Sequence, residues 1–266
     1  MHFAELIDAV RRQDDALVLD IPENWKQGRT AYGGLTAALC LHGARTLAGE
    51  TRALRSAMIS FVGPSTETAR VTAARLRQGR NASSVRASLV SGETHATEAV
   101  FTFADQRDSA VAYADARLPD ASPPPHADAQ GGTYPDGAPA FTKNFQIKHA
   151  RGPFPFMGEA GDGPPEQCAW VRHRAPEARD HPLALIALGD ALAPAVTAEM
   201  TGFAPVSSMT WMIDFVEDAP ETEHGWWLLR SVTDHAAGGF STQDMTIWNT
   251  HGALIAKARQ MVAVFG

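Results

Sequence analysis

The hexapeptides AMISFV (Ala57 to Val62) and WMIDFV (Trp211 to Val216) line up without a gap at an offset of 154 residues. Each opens a run of strand-like segments that follows a helix-like one. Before the first lies GGLTAALCLHGARTLAGE, whose Leu35, Ala38, Leu39, Leu41 and His42 spacing and many alanines suit a helix buried on most sides. Before the second lies HPLALIALGDALAPAVTAEM (His181 to Met200), which reads as the matching helix with a bend at Pro194. After the first helix, 53–62, 68–78, 83–91 and 94–104 alternate or are β-branched, with Gly-Pro, Gly-Arg-Asn and Ser-Gly-Glu turn signals between them. After the second, 206–216, 226–233, 239–249 and 253–265 repeat the pattern. Short strands are predicted ahead of each helix, at 16–21 in the first half and at 144–149 and 168–174 in the second.

Two more matches extend the alignment. GRNASSVRASLV from Gly79 meets GGFSTQDMTIWN from Gly238 at an offset of 159, and EAVFTF from Glu98 meets QMVAVF from Gln260 at 162. One order of elements, seen twice, implies a tandem repeat. The fold class is therefore α+β, with an antiparallel sheet in each repeat wrapped around one central apolar helix. The break between repeats falls in DQRDSAVAYADARLPDASPPPHADAQGGTYPDGAPA, from Asp105 to Ala140, which is rich in Pro and Gly and reads as an extended, solvated connector. The expected division is 1–108, a connector over 109–140, and 141–266. A second irregular stretch, Arg151 to Gln167, reads as a loop.

The 266 residues are 44% hydrophobic, enough for a sizeable core, and 23 Lys plus Arg against 30 Asp plus Glu give a net charge of −7. That balance argues against non-specific nucleic-acid binding, which depends on neutralising phosphates. No run is long enough for a membrane span, and Glu5 and Asp8 interrupt what a signal peptide would keep apolar. Cys40 and Cys168 are the only cysteines, which excludes a disulfide framework and points to the cytoplasm. The sequence holds no Gly-x-Ser-x-Gly elbow, Walker loop, dinucleotide glycine motif or His-Glu-x-x-His. No metal and no cofactor is expected, because the ten histidines are dispersed and neither cysteine is paired. His149, His173 and His181 are read as ordinary solvated histidines.

NWKQGRTAYGGLTAALCLHGA (Asn24 to Ala44), Phe61-Val62-Gly63-Pro64 and LRQGRNASSVRASLV (Leu76 to Val90) resemble the first half of the acyl-CoA thioesterase II (TesB-like) family. SSMTWMIDFVEDAP (Ser207 to Pro220), WWLLRSV (Trp226 to Val232) and HGALIAKARQ (His251 to Gln260) resemble its second half, in the right order. The resemblance implies a double hot-dog, in agreement with the repeat. It also implies hydrolysis of an acyl-CoA thioester with a water held by an Asp, a Ser or Thr hydroxyl and a Gln. Residue by residue, these fall on Asp190, Ser208 and Gln260. Ser208 departs from the commoner Thr, and the GRNAS and AGGFST turns depart from the family's usual forms.

The residues themselves leave alternatives open. Asp190 is a carboxylate in an apolar helix, and such a group needs partners or a raised pKa; a surface or capping Asp is the plainer reading. Aligning the repeats sets Gly34 opposite Asp190, Leu54 opposite Ser208 and Glu98 opposite Gln260, so the polar set occurs once and one active site is expected. Gly33 and Gly34 at the helix start offer backbone N–H groups to a carbonyl oxygen, or simply allow close packing. Arg80 and Arg86 are candidates for the CoA phosphates, or solvated. Trp25, Tyr32, Trp211, Trp226 and Trp227 line an acyl tunnel or pack the core. Two other functions fit a hot-dog: a hydratase or dehydratase on 3-hydroxyacyl-CoA, which needs a His beside the Asp, and a non-catalytic acyl-CoA or lipid-binding protein. A tandem repeat supplies within one chain what single domains gain by dimerising, and further homo-oligomerisation through sheet edges stays open.

Overall fold

The computed structural model of the chain describes residues 1–129, 132, 137–158 and 163–265. The first half runs α1 (Phe3–Asp8), β1 (Arg11–Gln13), β2 (Ala16–Asp20), a two-strand hairpin of β3 (Lys26–Gln27) and β4 (Thr30–Ala31), then α2 (Gly33–Leu47). A meander follows: β5 (Leu54–Phe61), β6 (Thr68–Gln78), β7 (Ala82–Ser91) and β8 (Thr94–Ala104). The second half repeats the order as β9 (Phe145–Arg151), β10 (Glu166–His173), α3 (Ala184–Gly189), β11 (Val206–Phe215), β12 (Trp227–Ala237), β13 (Phe240–Trp248) and β14 (Leu254–Val264).

Among the described residues, twelve strands form one antiparallel sheet in the order β1-β2-β6-β7-β8-β5-β11-β14-β13-β12-β10-β9. Read from its middle outward, each half gives the same sequence of strands, which is a double hot-dog whose two sheets join edge to edge through β5 and β11. Met58 pairs with Met212 at that seam, with Ile59 opposite Trp211 and Ala57 opposite Ile213. These are the residues that the 154 offset superposes, so the pseudo-twofold axis passes through the Met58–Met212 pair.

The helix α2 is buried along most of its length, from Gly34 to Ala44, against β6, β7 and β8. Its alanines keep the helix slim enough for the sheet to curl around it. The expected second helix is interrupted. α3 stops at Gly189, Asp190 is its C-cap, and a 3₁₀ turn covers Ala195–Ala198 after Pro194. Pro194 has no N–H for a helical bond, and it stands in an extended conformation at the head of the turn. Asp190 therefore sits at a helix end rather than within a helix.

Two further expectations change. The connector, in which residues 130, 131 and 133–136 lie outside the described ones, is not simply solvated: Trp248 donates its indole N–H to Ala116 O at 3.1 Å and Trp170 donates to Ser122 O at 2.9 Å. Buried Arg172 donates to Ala127 O and Ala129 O and stacks over Trp226. These contacts cover the outer face of β10 and β12, where Cys168, Trp170, Trp226, Leu228 and Trp248 form a second apolar cluster. Both faces of β10 are consequently buried, which is why its sequence does not alternate. Trp248→Phe removes the indole N–H with its hydrogen bond and leaves a small cavity at a buried position. The expected cost is about 1–3 kcal/mol, with faster tryptic cleavage after exposed Arg117; an unchanged cleavage rate would show that Trp248 does not hold the connector. His173 is also not solvated. It is 2% exposed between Phe3 and Phe145, hydrogen-bonded to Ala184 O at 3.0 Å, and burial pushes its pKa down to about 4.

Candidate active site

The site forms where the start of α2 meets the end of α3. Tyr32, the N-cap of α2, offers no side-chain cap to the helix. The Asp190 carboxylate of the other repeat stands at this end instead, where the Gly34 N–H favours its charged form. The approach is close: a Cβ on Gly33 would stand 2.8 Å from Asp190 Oδ2, and one on Gly34 would stand 2.4 Å from Ala187 O. Tyr32 donates its hydroxyl to the same Ala187 O at 2.9 Å, which ties the two helix ends together.

Asp190 Oδ1 accepts a 2.8 Å hydrogen bond from Gln260 Nε2. The residue is partly accessible at its surface, yet packing around the carboxyl is dense. Burial pushes its pKa up to about 7, against the Gln260 and Gly34 hydrogen bonds that favour the charged form. The two helix ends act oppositely on this charge: the C-terminus of α3 disfavours an anion and the N-terminus of α2 favours one. The result is a carboxyl that changes protonation near neutrality.

Strand register places the remaining residues. Gln260 on β14 lies opposite Trp211 on β11 and Gln243 on β13, so all three side chains point to the helix side of the sheet. Trp211 is buried against Gly189, next to Asp190. Ser208 pairs with Val262, two residues beyond Gln260, and so shares that inward face. Among the described residues its hydroxyl makes no hydrogen bond, and it stands just before a bulge in β11. The structure thus brings Asp190, Gln260, Gly33 and Gly34 into contact and leaves Ser208 on the same face.

Arg80 is not brought to this group. Its carbonyl accepts from Arg52, just beyond the C-terminal end of α2, and it lines an open cavity of about 350 Å³ with Arg77, Asn81 and Ser84. Fifteen helical residues, roughly 22 Å, separate that end from Gly33. Arg86 is held on the outer face by Glu98 at 3.0 Å. Trp25, Tyr32, Trp211, Trp226 and Trp227 are all buried as packing residues.

The alignment of Glu98 with Gln260 also changes. Ala57 pairs with Phe101 and Phe101 with Val85, so the counterpart of Trp211–Gln260–Gln243 is Ala57–Phe101–Val85. The first repeat has an apolar rung where the second has a polar one. The sequence reading missed Gln243, although a Gln at an inward position of an alternating strand was the available signal.

With this geometry in view, comparison with known proteins is informative. A protein of unknown function with a hot-dog fold from Alicyclobacillus acidocaldarius superposes with a TM-score of 0.85 at 20% identity, covering 100% of this chain and 99% of its own. The tesB protein of Mycobacterium avium subsp. paratuberculosis gives 0.73 at 21% identity, over 99% and 98% of the two chains. Acyl-CoA thioesterase II TesB2 from Mycobacterium marinum gives 0.71 at 20%, over 98% and 96%. At these identities the likeness speaks to the fold. No curated protein matches the sequence. The family model of the acyl-CoA thioesterase N-terminal domain matches residues 21–104, and that of the acyl-CoA thioesterase C-terminal domain matches residues 115–264. Matched over both repeats, the chain belongs to the acyl-CoA thioesterase family and is a thioester hydrolase with a double hot-dog fold.

Proposed function

We propose that the protein hydrolyses an acyl-CoA to the free acid and CoA by direct attack of a water that Asp190 activates as general base. The observation that carries this reading is the contact of Asp190 with Gln260 at the N-terminus of α2, with a carboxyl poised near neutrality. Ionised Asp190 takes a proton from the water as its oxygen bonds to the thioester carbon. Ser208 and Gln260 orient that water. The oxyanion is met by the Gly33 N–H, which at the first position of α2 has no intrahelical acceptor. Collapse of the tetrahedral intermediate breaks the C–S bond, and the thiolate leaves with the proton returned from Asp190. No histidine is among the groups that set the Asp190 pKa, which favours hydrolysis over a hydratase. The assignment puts the protein in acyl-chain metabolism in the cytoplasm, with Cys40 and Cys168 buried and unpaired. The domain limits 1–108 and 141–266 belong to the same reading.

A panel of short, long and aromatic acyl-CoAs, followed by free thiol release, tests it. For the member that turns over, kcat/KM should rise tenfold per pH unit below about pH 7 and level off above, because only the ionised carboxylate is a base. A flat profile between pH 5 and 9 would remove Asp190 from that role. Binding without turnover across the whole panel would point to an acyl-CoA-binding protein.

A further inference from the structure

Gln260 acts on Asp190 only through the NH₂ end of its amide. A flipped amide would set two acceptor oxygens against each other at the 2.8 Å now spanned by the hydrogen bond. Shape alone cannot prevent the flip, because the two ends of an amide are nearly the same size. The neighbouring rung supplies what shape cannot. Gln243 Nε2 donates to Gln260 Oε1 at 2.7 Å, and Gln243 Oε1 accepts the backbone N–H of Ala195 at 2.8 Å. Both glutamines are 2% exposed, so water does not compete for these bonds.

We propose that Gln243 is a positioning residue that sets the orientation of the Gln260 amide and so directs its N–H to Asp190. The chain Ala195 N–H, Gln243, Gln260, Asp190 runs head to tail, and its first member is the one whose polarity holds at every pH, since the carboxyl can donate once protonated. A backbone N–H has no acceptor alternative, so it fixes the Gln243 oxygen. That leaves the Gln243 NH₂ for the Gln260 oxygen, and the Gln260 NH₂ for the carboxylate. Pro194, the N-cap of the 3₁₀ turn that follows α3, sets up that turn, whose first residue is Ala195. The apolar counterparts Val85 and Phe101 in the first repeat show that the fold itself does not require a polar pair at this rung.

The catalytic consequence rests on the mechanism proposed above; the orientation does not, and it is measured directly on Asp190. No charged side chain contributes to that titration. α2 brings Gly33 and Gly34, α3 carries no ionisable residue, β11 brings Trp211, and β13 and β14 bring the two glutamines. The experiment follows the ¹³C carboxyl shift of Asp190, assigned by its loss in Asp190→Asn, across pH 4–9. Gln260→Met should raise the inflection by about half to one pH unit, as expected for the loss of one hydrogen bond to the charged form. Gln243→Met should raise it comparably, and the double variant should go no further than either single one. Gln243→Leu carries the same expectation if the Met variant does not fold. A wild-type titration in the Gln243 variants, or additive shifts in the double, would overturn the proposal. Absence of turnover on the acyl-CoA panel would sink the hydrolytic mechanism while leaving these titrations to decide the orientation.

Discussion

Asp190→Asn should lower kcat/KM for acyl-CoA hydrolysis by about 10²–10⁴-fold, the usual contribution of a general base, while the protein stays folded. The same substitution should raise the melting temperature at pH 8. The sign follows from the burial of the carboxyl. Its folded pKa, about 7, lies above the ordinary value of 3.8, so the folded state holds more protons between those limits. Stability therefore falls as pH rises from about 4 to about 7, and above that range the ionised group costs on the order of 4 kcal/mol. Asn is neutral throughout and keeps an oxygen for Gln260. The difference in melting temperature, mutant minus wild type, should be a few degrees at pH 8 and shrink toward pH 4. An Asn variant that is less stable at every pH and still hydrolyses acyl-CoA would make Asp190 a cap for α2 and nothing more.

Gly34→Ala should lower the melting temperature by roughly 5–10 °C, from an overpacking cost of about 1–3 kcal/mol. In an isolated helix the change would have the opposite sign, because Ala is the better helix former by about 1 kcal/mol. Sterics win here because the new Cβ would stand 2.4 Å from Ala187 O, a backbone atom, and 2.7 Å from the Tyr32 ring. Relief requires α2 and α3 to move apart. That strains the Tyr32–Ala187 hydrogen bond and draws the Gly34 N–H away from Asp190, so kcat/KM should fall as well. Gly202→Ala, where a Cβ meets nothing within 4 Å, is the control and should leave the melting temperature unchanged. A stabilised Gly34→Ala protein would show that the helix ends are not held at this distance in solution.

Local pattern was enough where one residue's environment repeats along the chain. The alternation in β6, β7, β8, β13 and β14 and the alanine-rich stretch of α2 were legible within a few residues of their ends. The 154 offset proved to be the pseudo-twofold itself, since it pairs Met58 with Met212. The third match slipped by three residues, since strand register sets Phe101 rather than Glu98 in the place of Gln260, and a short apolar strand stretch such as EAVFTF matches another in more than one register. The second helix was overextended because its apolar period continues through a stretch where the backbone stops at Gly189 and restarts after Pro194. Arg80 has a residue type that suits a phosphate, but its place at the far end of α2 depends on which way the helix runs under the sheet.

The sequence by itself determined the tandem organisation, the wrapped helix of the first repeat and the polar Asp190 and Ser208 of the second repeat, where the first has Gly34 and Leu54. These follow from periodicity, from turn chemistry and from one half compared with the other. Only the tertiary structure decided that Asp190 caps the helix of the opposite repeat, that Gln260 reaches it, and that Gln243 stands behind Gln260. Those contacts span 156, 70 and 17 residues of chain, and they exist because strand register and the meeting of two helix ends bring together groups that no local pattern relates.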